Sequence, residues 1–290
     1  MWARAYAKIN LSLQVRPRRD DGLHELRSLM QSVSWSDSLN LDEADVDSFE
    51  AKGAVPSDHT NLALGALTSI RQVAGVTAKA SLSLAKAIPV SAGLGGGSSD
   101  AAAVLRLAGA MWGIEDSLQR SVAPSMGSDV TFCLSGGTAF VTGGGETVEL
   151  LQPRGGFSVG VVVPPIELSS AAVYRTWDEL GGPPGRPLEE SDLPPEIRGL
   201  GPFVNDLYPA AAYLARDIDD WRAELAGLWS RSVMLSGSGP ALFAYFMDEE
   251  EASQAMRALP PGARAAQAAS PVSVGSEIGE GTLPDRWGVV

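Results

Sequence analysis

Apolar and polar residues alternate without a break near the start of the chain. Ala5, Ala7, Ile9, Leu11, Leu13 and Val15 point one way, and Tyr6, Lys8, Asn10, Ser12 and Gln14 the other. A period of two over this length predicts a strand with one face on a core, and it puts Lys8 and Asn10 side by side on the polar face. Leu29 to Leu41 is again strand-like in parts, and the acidic run Asp42 to Glu50 predicts an exposed turn or edge. From Asn61 to Val73 the period changes: Leu62, Leu64, Leu67, Ile70 and Val73 recur at mostly helical spacing, and Ala78 to Ala85 returns to alternation. Helix then strand is the predicted order.

Next comes Pro89-Val90-Ser91-Ala92-Gly93-Leu94-Gly95-Gly96-Gly97-Ser98-Ser99. Beyond it Ala101, Val104, Leu105, Ala108 and Met111 share one face of a strong helix, for which Ser98, Ser99 or Asp100 is the expected cap. The second half begins with a strand over Phe157 to Val163 and continues through a proline-rich, acidic connection, Pro183 to Pro195. Helices are predicted over Asn205 to Leu214, Ile218 to Leu228 and Glu249 to Leu259, with strands at Ser232 to Leu235 and Ala241 to Phe246. This is an α+β pattern in two halves, 1–154 and 155–262, with a seam at Arg154-Gly155-Gly156. The tail, 263–290, is small, polar and glycine-rich, and is expected to be partly disordered.

Composition narrows the function classes. Against 35 Asp plus Glu there are 22 Lys plus Arg, a formal net charge of −13, which argues against general nucleic-acid binding. No apolar stretch approaches the ~20 residues of a membrane helix, and no secretory h-region is visible, so a cytoplasmic location without membrane contact is expected. A single cysteine, Cys133, excludes an intrachain disulfide and a cysteine-based zinc cluster, and its apolar surroundings predict a buried structural thiol. The 32 glycines matter more, because four of them fall between Gly93 and Gly97. Such a loop lets backbone approach a ligand closely, and a helix N-terminus behind it offers free amides and a positive dipole end: together an anion site, most naturally for phosphate. No Lys-Ser or Lys-Thr follows the last glycine, as a Walker loop requires, and the dinucleotide fingerprint fails because its third glycine falls on a serine.

The loop, with the following Asp100-Ala101-Ala102, resembles the phosphate loop of the GHMP small-molecule kinases. Four further segments, in order, are similar to one branch of that family, which phosphorylates a cytidyl diphosphate sugar alcohol in non-mevalonate isoprenoid synthesis. They are Ala7-Lys8-Ile9-Asn10-Leu11, Asp21-Gly22-Leu23-His24-Glu25-Leu26, Gly127-Ser128-Asp129-Val130-Thr131-Phe132 and Leu235-Ser236-Gly237-Ser238-Gly239-Pro240. Asn205-Asp206-Leu207 adds a lesser match, so the resemblance covers about residues 5 to 260. It implies a two-domain GHMP kinase fold, with an N-terminal domain like ribosomal protein S5 domain 2 and a ferredoxin-like C-terminal domain.

The resemblance also implies roles. Residues 89–99 would hold the phosphates of ATP, with Mg2+ whose ligands the sequence does not assign, and Asn61 would lie near the adenine. Asp129 would be the general base for the acceptor hydroxyl, beside Lys8, whose charge would keep the carboxylate ionised. Asn10 and His24 would hydrogen-bond the acceptor, and Tyr174 would stack on its cytosine. One position departs: Leu23 stands where the family has a stacking tyrosine, which leaves open another small-alcohol acceptor such as mevalonate, homoserine or a sugar. A non-catalytic nucleotide-binding relative is the other alternative; it has no need of both Lys8 and Asp129. Oligomeric state is not legible in the sequence.

Overall fold

The computed structural model describes residues 1–20, 22–53 and 55–284. Asp21, from the Asp-Gly-Leu-His-Glu run, and residues 285–290 of the tail lie outside the described residues. Two sheets organise the chain. In order come β1 (Trp2–Arg18), β2 (His24–Glu43), β3 (Ser48–Lys52), α1 (Leu62–Ala74), β4 (Ala80–Ala85), α2 (Gly96–Trp112), α3 (Asp116–Val122), α4 (Val130–Ser135), β5 (Thr138–Gly143) and β6 (Thr147–Leu150). The second half carries β7 (Ser158–Val163), α5 (Ser170–Glu179), α6 (Tyr208–Leu214), α7 (Asp217–Trp229), β8 (Met234–Leu235), β9 (Leu242–Phe246), α8 (Glu249–Ala255), β10 (Ala265–Ala269) and β11 (Ser276–Gly279).

The first sheet runs β11-β1-β2-β4-β3. Its central strand β2 is long enough to carry two neighbours on one edge: residues 26–31 pair with β5 and residues 38–43 with β4. The second sheet runs β10-β7-β9-β8, every pair antiparallel. With helices between β7 and β8 and between β9 and β10, this is the βαββαβ arrangement of a ferredoxin-like domain. The acidic segment after β2 does end in an edge strand, β3, parallel to β4.

The strand predicted from alternation is β1, and both of its faces are buried. Ala7, Ile9 and Leu11 pack with Val159, Val161 and Phe243 of the second sheet, so β1 is the strand on which the two halves meet. Over the first sheet lies α2, whose Ala101, Ala102, Val104, Leu105 and Ala108 meet Leu39, Leu41, Leu82 and Ile70. Its alanines bring the helix axis close to the strands, which puts the helix N-terminus directly above the polar face of β1.

One expectation needs correction. Residues 205–207 are not helical, because Asn205 is used elsewhere: its Nδ2 donates to the carbonyls of Leu235 and Gly237, and its Oδ1 accepts from the amide of Leu207. Within the tail, residues 265–269 and 276–279 are strands. β10 completes the second sheet against β7, and β11 returns to the first sheet against β1. Both were illegible because Ala265-Ala266-Gln267-Ala268-Ala269 is built from poor strand formers and Ser276-Glu277-Ile278-Gly279 has one large apolar residue. Backbone pairing to an existing edge, with little side-chain burial, makes these strands.

Gly275 leads into β11 through a space that admits no side chain: a Cβ there would fall 1.8 Å from the carbonyl oxygen of Cys133. Gly275→Ala is expected to cost about 3 kcal/mol of stability. Urea unfolding of the variant checks this.

Candidate functional site

The amide of Lys8 donates to the Leu94 carbonyl at 2.9 Å, and the amide of Ala241 donates to Ala92 at 3.0 Å. The glycine loop is therefore stitched between β1 and the Ser236–Gly239 turn. Contact is close enough to demand glycine twice. A Cβ on Gly93, at φ +80°, would lie 2.3 Å from the Ser236 carbonyl oxygen, and one on Gly95, at φ +68°, would lie 2.8 Å from Lys8 Cγ.

Gly95 is also the N-cap of α2, and no side chain caps the helix. The caps expected from sequence are employed elsewhere: Ser99 Oγ donates to the Tyr6 carbonyl at 2.6 Å, and Asp100 Oδ2 accepts from Lys86 Nζ at 2.7 Å. The helix starts earlier than predicted, inside the glycine run. Its first-turn amides have no intrahelical partner and face the cleft, so an incoming anion would take the place of the missing cap.

Lys8 is 4% exposed and its ammonium is matched on two sides. Nζ donates to Asn10 Oδ1 at 2.7 Å and stands 3.2 Å from Asp129 Oδ2. Asn10 Nδ2 donates in turn to Ser28 Oγ at 2.8 Å, and Ser28 Oγ to the Ser12 carbonyl at 2.7 Å. The Asn10 amide is thus held oxygen-first toward Lys8, so in this structure it serves Lys8 before any ligand. Asp129 sits at the N-cap position of α4 but makes no capping bond, because its carboxylate is turned to Lys8.

These groups line a cleft of about 500 Å³ that includes the glycine loop, Asn61 and Tyr174. Asn61 caps α1, its Oδ1 accepting from the Ala63 amide at 3.0 Å. A second cavity of about 750 Å³ is lined by Arg18, Leu23, His24, Gly144 and Tyr174. Leu26, Ser128 and Tyr174 border both spaces, which meet beside Asp129. His24 is 7% exposed, stacked on Tyr174 with ring centroids 5.3 Å apart and edge-on to Trp177. Its Nδ1 is 2.9 Å from the Arg16 carbonyl, while Nε2 faces Arg18 Nε and Asp178 Oδ1, each at 3.4 Å. Asp178 also pairs with Arg18 at 2.8 Å. Burial, and secondarily the charge of Asp129, raise the Tyr174 phenol above the ordinary tyrosine range. Leu23 is 55% exposed at the mouth of this cavity. Cys133 is buried and its thiol is pushed up chiefly by that burial, which suits a structural role.

Sequence reasoning missed a second buried charge cluster. Asp37, fully buried, and Asp100, 2% exposed, both bond the ammonium of Lys86 beside the loop. A signal existed: Asp37 is in phase with Val33, Trp35, Leu39 and Leu41, on the apolar beat of β2. A carboxylate in that phase must be buried and must have a partner.

The arrangement combines an anion cradle at a helix N-terminus, a buried lysine–aspartate pair and an aromatic cavity. Residues 61–137 match the family model described as GHMP kinases N terminal domain. A 4-diphosphocytidyl-2-C-methyl-D-erythritol kinase of Parvibaculum lavamentivorans is 37% identical over 276 residues, 89% of this chain and 94% of that one. Its counterpart in Pelotomaculum thermopropionicum is 35% identical, over 87% of this chain and 91% of that one. The chain belongs to the 4-diphosphocytidyl-2-C-methyl-D-erythritol kinase family. A crystal structure of 4-(cytidine 5'-diphospho)-2C-methyl-D-erythritol kinase superposes with a TM-score of 0.76 at 33% identity, covering 93% of this chain and 99% of that one. Homoserine kinase from Cytophaga hutchinsonii, at TM-score 0.67 and 18% identity over 96% of each chain, shares the fold.

Gly95→Ala is expected to keep a folded protein yet lower turnover by about 10-fold or more, because the methyl displaces the Lys8 side chain from Asp129. Gly75→Ala is the control. Gly75 has φ +66° with nothing within 4 Å of its Cβ, so it carries only the backbone penalty of about 1 kcal/mol. Steady-state rates and thermal melts of the two variants separate the effects.

Proposed function

We propose that this chain transfers the γ-phosphoryl group of ATP to the 2-hydroxyl of 4-diphosphocytidyl-2-C-methyl-D-erythritol. One observation carries the mechanism: Lys8 bridges Asp129 and Asn10 where the phosphate cleft and the aromatic cavity join. The loop amides from Gly93 to Ser99 and the α2 dipole cradle the triphosphate. Asn61 borders the adenine end of the cleft. Asp129, the general base, takes the proton of the acceptor hydroxyl as its oxygen bonds to the γ-phosphorus, and the bond from that phosphorus to the β–γ bridging oxygen breaks to release ADP. Lys8 compensates the charge that gathers on the transferring oxygens. His24 orients Tyr174, and that ring gives the cytosine a face to stack on.

Among the described residues no group of three or more His, Cys, Asp or Glu is placed to hold a metal ion. We treat Mg2+ as entering with ATP, bound to its phosphates as part of the substrate. No helix among the described residues is long and apolar enough to cross a membrane. Both substrates are small polyanions, and we place the activity in the cytoplasm.

Lys8→Ala and Asp129→Ala are each expected to lower turnover by about 100-fold or more while ATP still binds, and Asp129→Ala is also expected to lower the melting temperature because it leaves the buried Lys8 ammonium without its counter-charge. Unchanged turnover in folded variants would remove the catalytic roles. A coupled ADP-release assay over a panel of acceptors tests the substrate: release with mevalonate or homoserine but not with the cytidyl diphosphate would overturn this reading. Leu23→Tyr is expected to lower the KM of the cytidyl substrate by roughly 10-fold, with the KM of ATP unchanged, since one stacked base contributes about 1 to 3 kcal/mol.

A further inference from the structure

The Asp37–Lys86–Asp100 cluster has no part in the mechanism above, yet its connections converge on the loop. Asp37 Oδ1 accepts from the amides of Ala87 at 2.6 Å and Ile88 at 2.8 Å, where the chain enters the loop. Asp37 Oδ2 bonds Lys86 Nζ, and Lys86 Nζ reaches Asp100 Oδ2, one turn inside the helix where the chain leaves it. One carboxylate of β2 thereby sets both ends of the segment 88–96. The cluster also abuts the cradle: a Cβ on Gly96 would lie 3.2 Å from Lys86 Nζ, and Lys86 and Asp100 both line the cleft.

Its charge count is the second observation. Two carboxylates share one ammonium, so with both ionised a net negative charge would be buried beside a site for a polyanion. Few other groups face Asp100. Cys133 on α4 presents a neutral thiol, and Lys8 and Asp129 are already matched to each other. Moreover, Asp100 Oδ1 is buried without a hydrogen-bond partner, a poor setting for a carboxylate anion.

We propose that Asp37, Lys86 and Asp100 form the clasp that positions the phosphate loop, that the clasp works with one proton held on Asp100, and that nucleotide binding is coupled to that proton. The proposal rests on the ATP-binding reading of the loop. Burial first, and then the neighbouring Asp37, push the Asp100 carboxyl up to about 8, against the pull of Lys86. Burial opposes the charge of Lys86, but the two carboxylates outweigh it and raise its pKa. Signs follow from linkage. An incoming polyanion raises the proton affinity of Asp100 further, so binding takes up a proton at alkaline pH and affinity falls as pH rises through the folded pKa. Stability of the unliganded protein moves the same way. Above the ordinary aspartate pKa of about 4 the unfolded chain has released a proton that the fold retains, so this contribution is lost as pH rises toward the folded value.

Calorimetry with Mg2+ and a non-hydrolysable ATP analogue, near pH 8.5 in two buffers of different protonation enthalpy, reads the coupling directly. The wild-type chain is expected to take up a measurable fraction of a proton per nucleotide, with affinity falling by up to about 10-fold per pH unit above the folded pKa. Asp100→Asn keeps a neutral oxygen for Lys86, so it should abolish the uptake, flatten the pH profile and restore most of the binding that Asp100→Ala loses. Asp37→Asn, confirmed folded by circular dichroism, should raise the KM of ATP by about 10-fold or more and leave the acceptor KM nearly unchanged. Binding without proton uptake, or equal uptake by Asp100→Asn, would overturn the coupled clasp alone. Failure of the wild-type chain to bind the analogue would overturn the ATP reading, and this proposal with it.

Discussion

An ammonium that is 4% exposed in the middle of a strand must be matched on every side, and much of this structure can be read as the means of matching Lys8. Asp129 supplies the counter-charge from the start of α4, and Asn10 supplies an oxygen from the same strand. Ser28 on β2 orients that amide. Gly95 yields the space through which the lysine stem passes. Each comes from a different element, so the pair at the junction of two cavities exists only when the first sheet, α2 and α4 are all in place. Buried ion pairs contribute little to stability on balance. Their use here is positional: they hold a carboxylate and an ammonium at a fixed separation where the two cavities join.

The acidic balance of the chain, −13, looks ill suited to two polyanionic substrates. Local field resolves it, because glycine amides, an uncapped helix N-terminus and Lys8 face one cleft while carboxylates spread elsewhere over the surface. The uncapped terminus matters most in this respect. Ser99 and Asp100, the natural caps by composition, are drawn away by Tyr6 and Lys86. Their engagement leaves the helix amides for a ligand.

How much of this was legible beforehand follows the physics of each element. β1 could be read because its alternation runs for eleven residues, and the glycine loop because glycine at such density costs chain entropy that only close backbone approach offsets. Lys8 and Asp129 are far apart in sequence, and it was the resemblance that joined them. The β5–β6 hairpin, β10 and β11 were missed, the last two because their identity lies in backbone pairing to edges formed by distant residues. The Lys86 cluster was missed although Asp37 breaks the apolar phase of β2. The seating of His24, with Arg16, Arg18, Tyr174, Trp177 and Asp178 around it, depends on α5 lying across the first hairpin, which no local pattern encodes.

The return of β11 to β1 has a consequence for folding. Lys8 lies on β1, and among the described residues the edge of that strand from Trp2 to Ala5 is paired by residues 276–279, which are very distant along the chain. Until that pairing forms, β1 offers an unpaired edge to any other extended segment. Closing the sheet that carries Lys8 is thus one of the most non-local steps in folding, and such steps are slow because loop closure precedes the contacts that reward it.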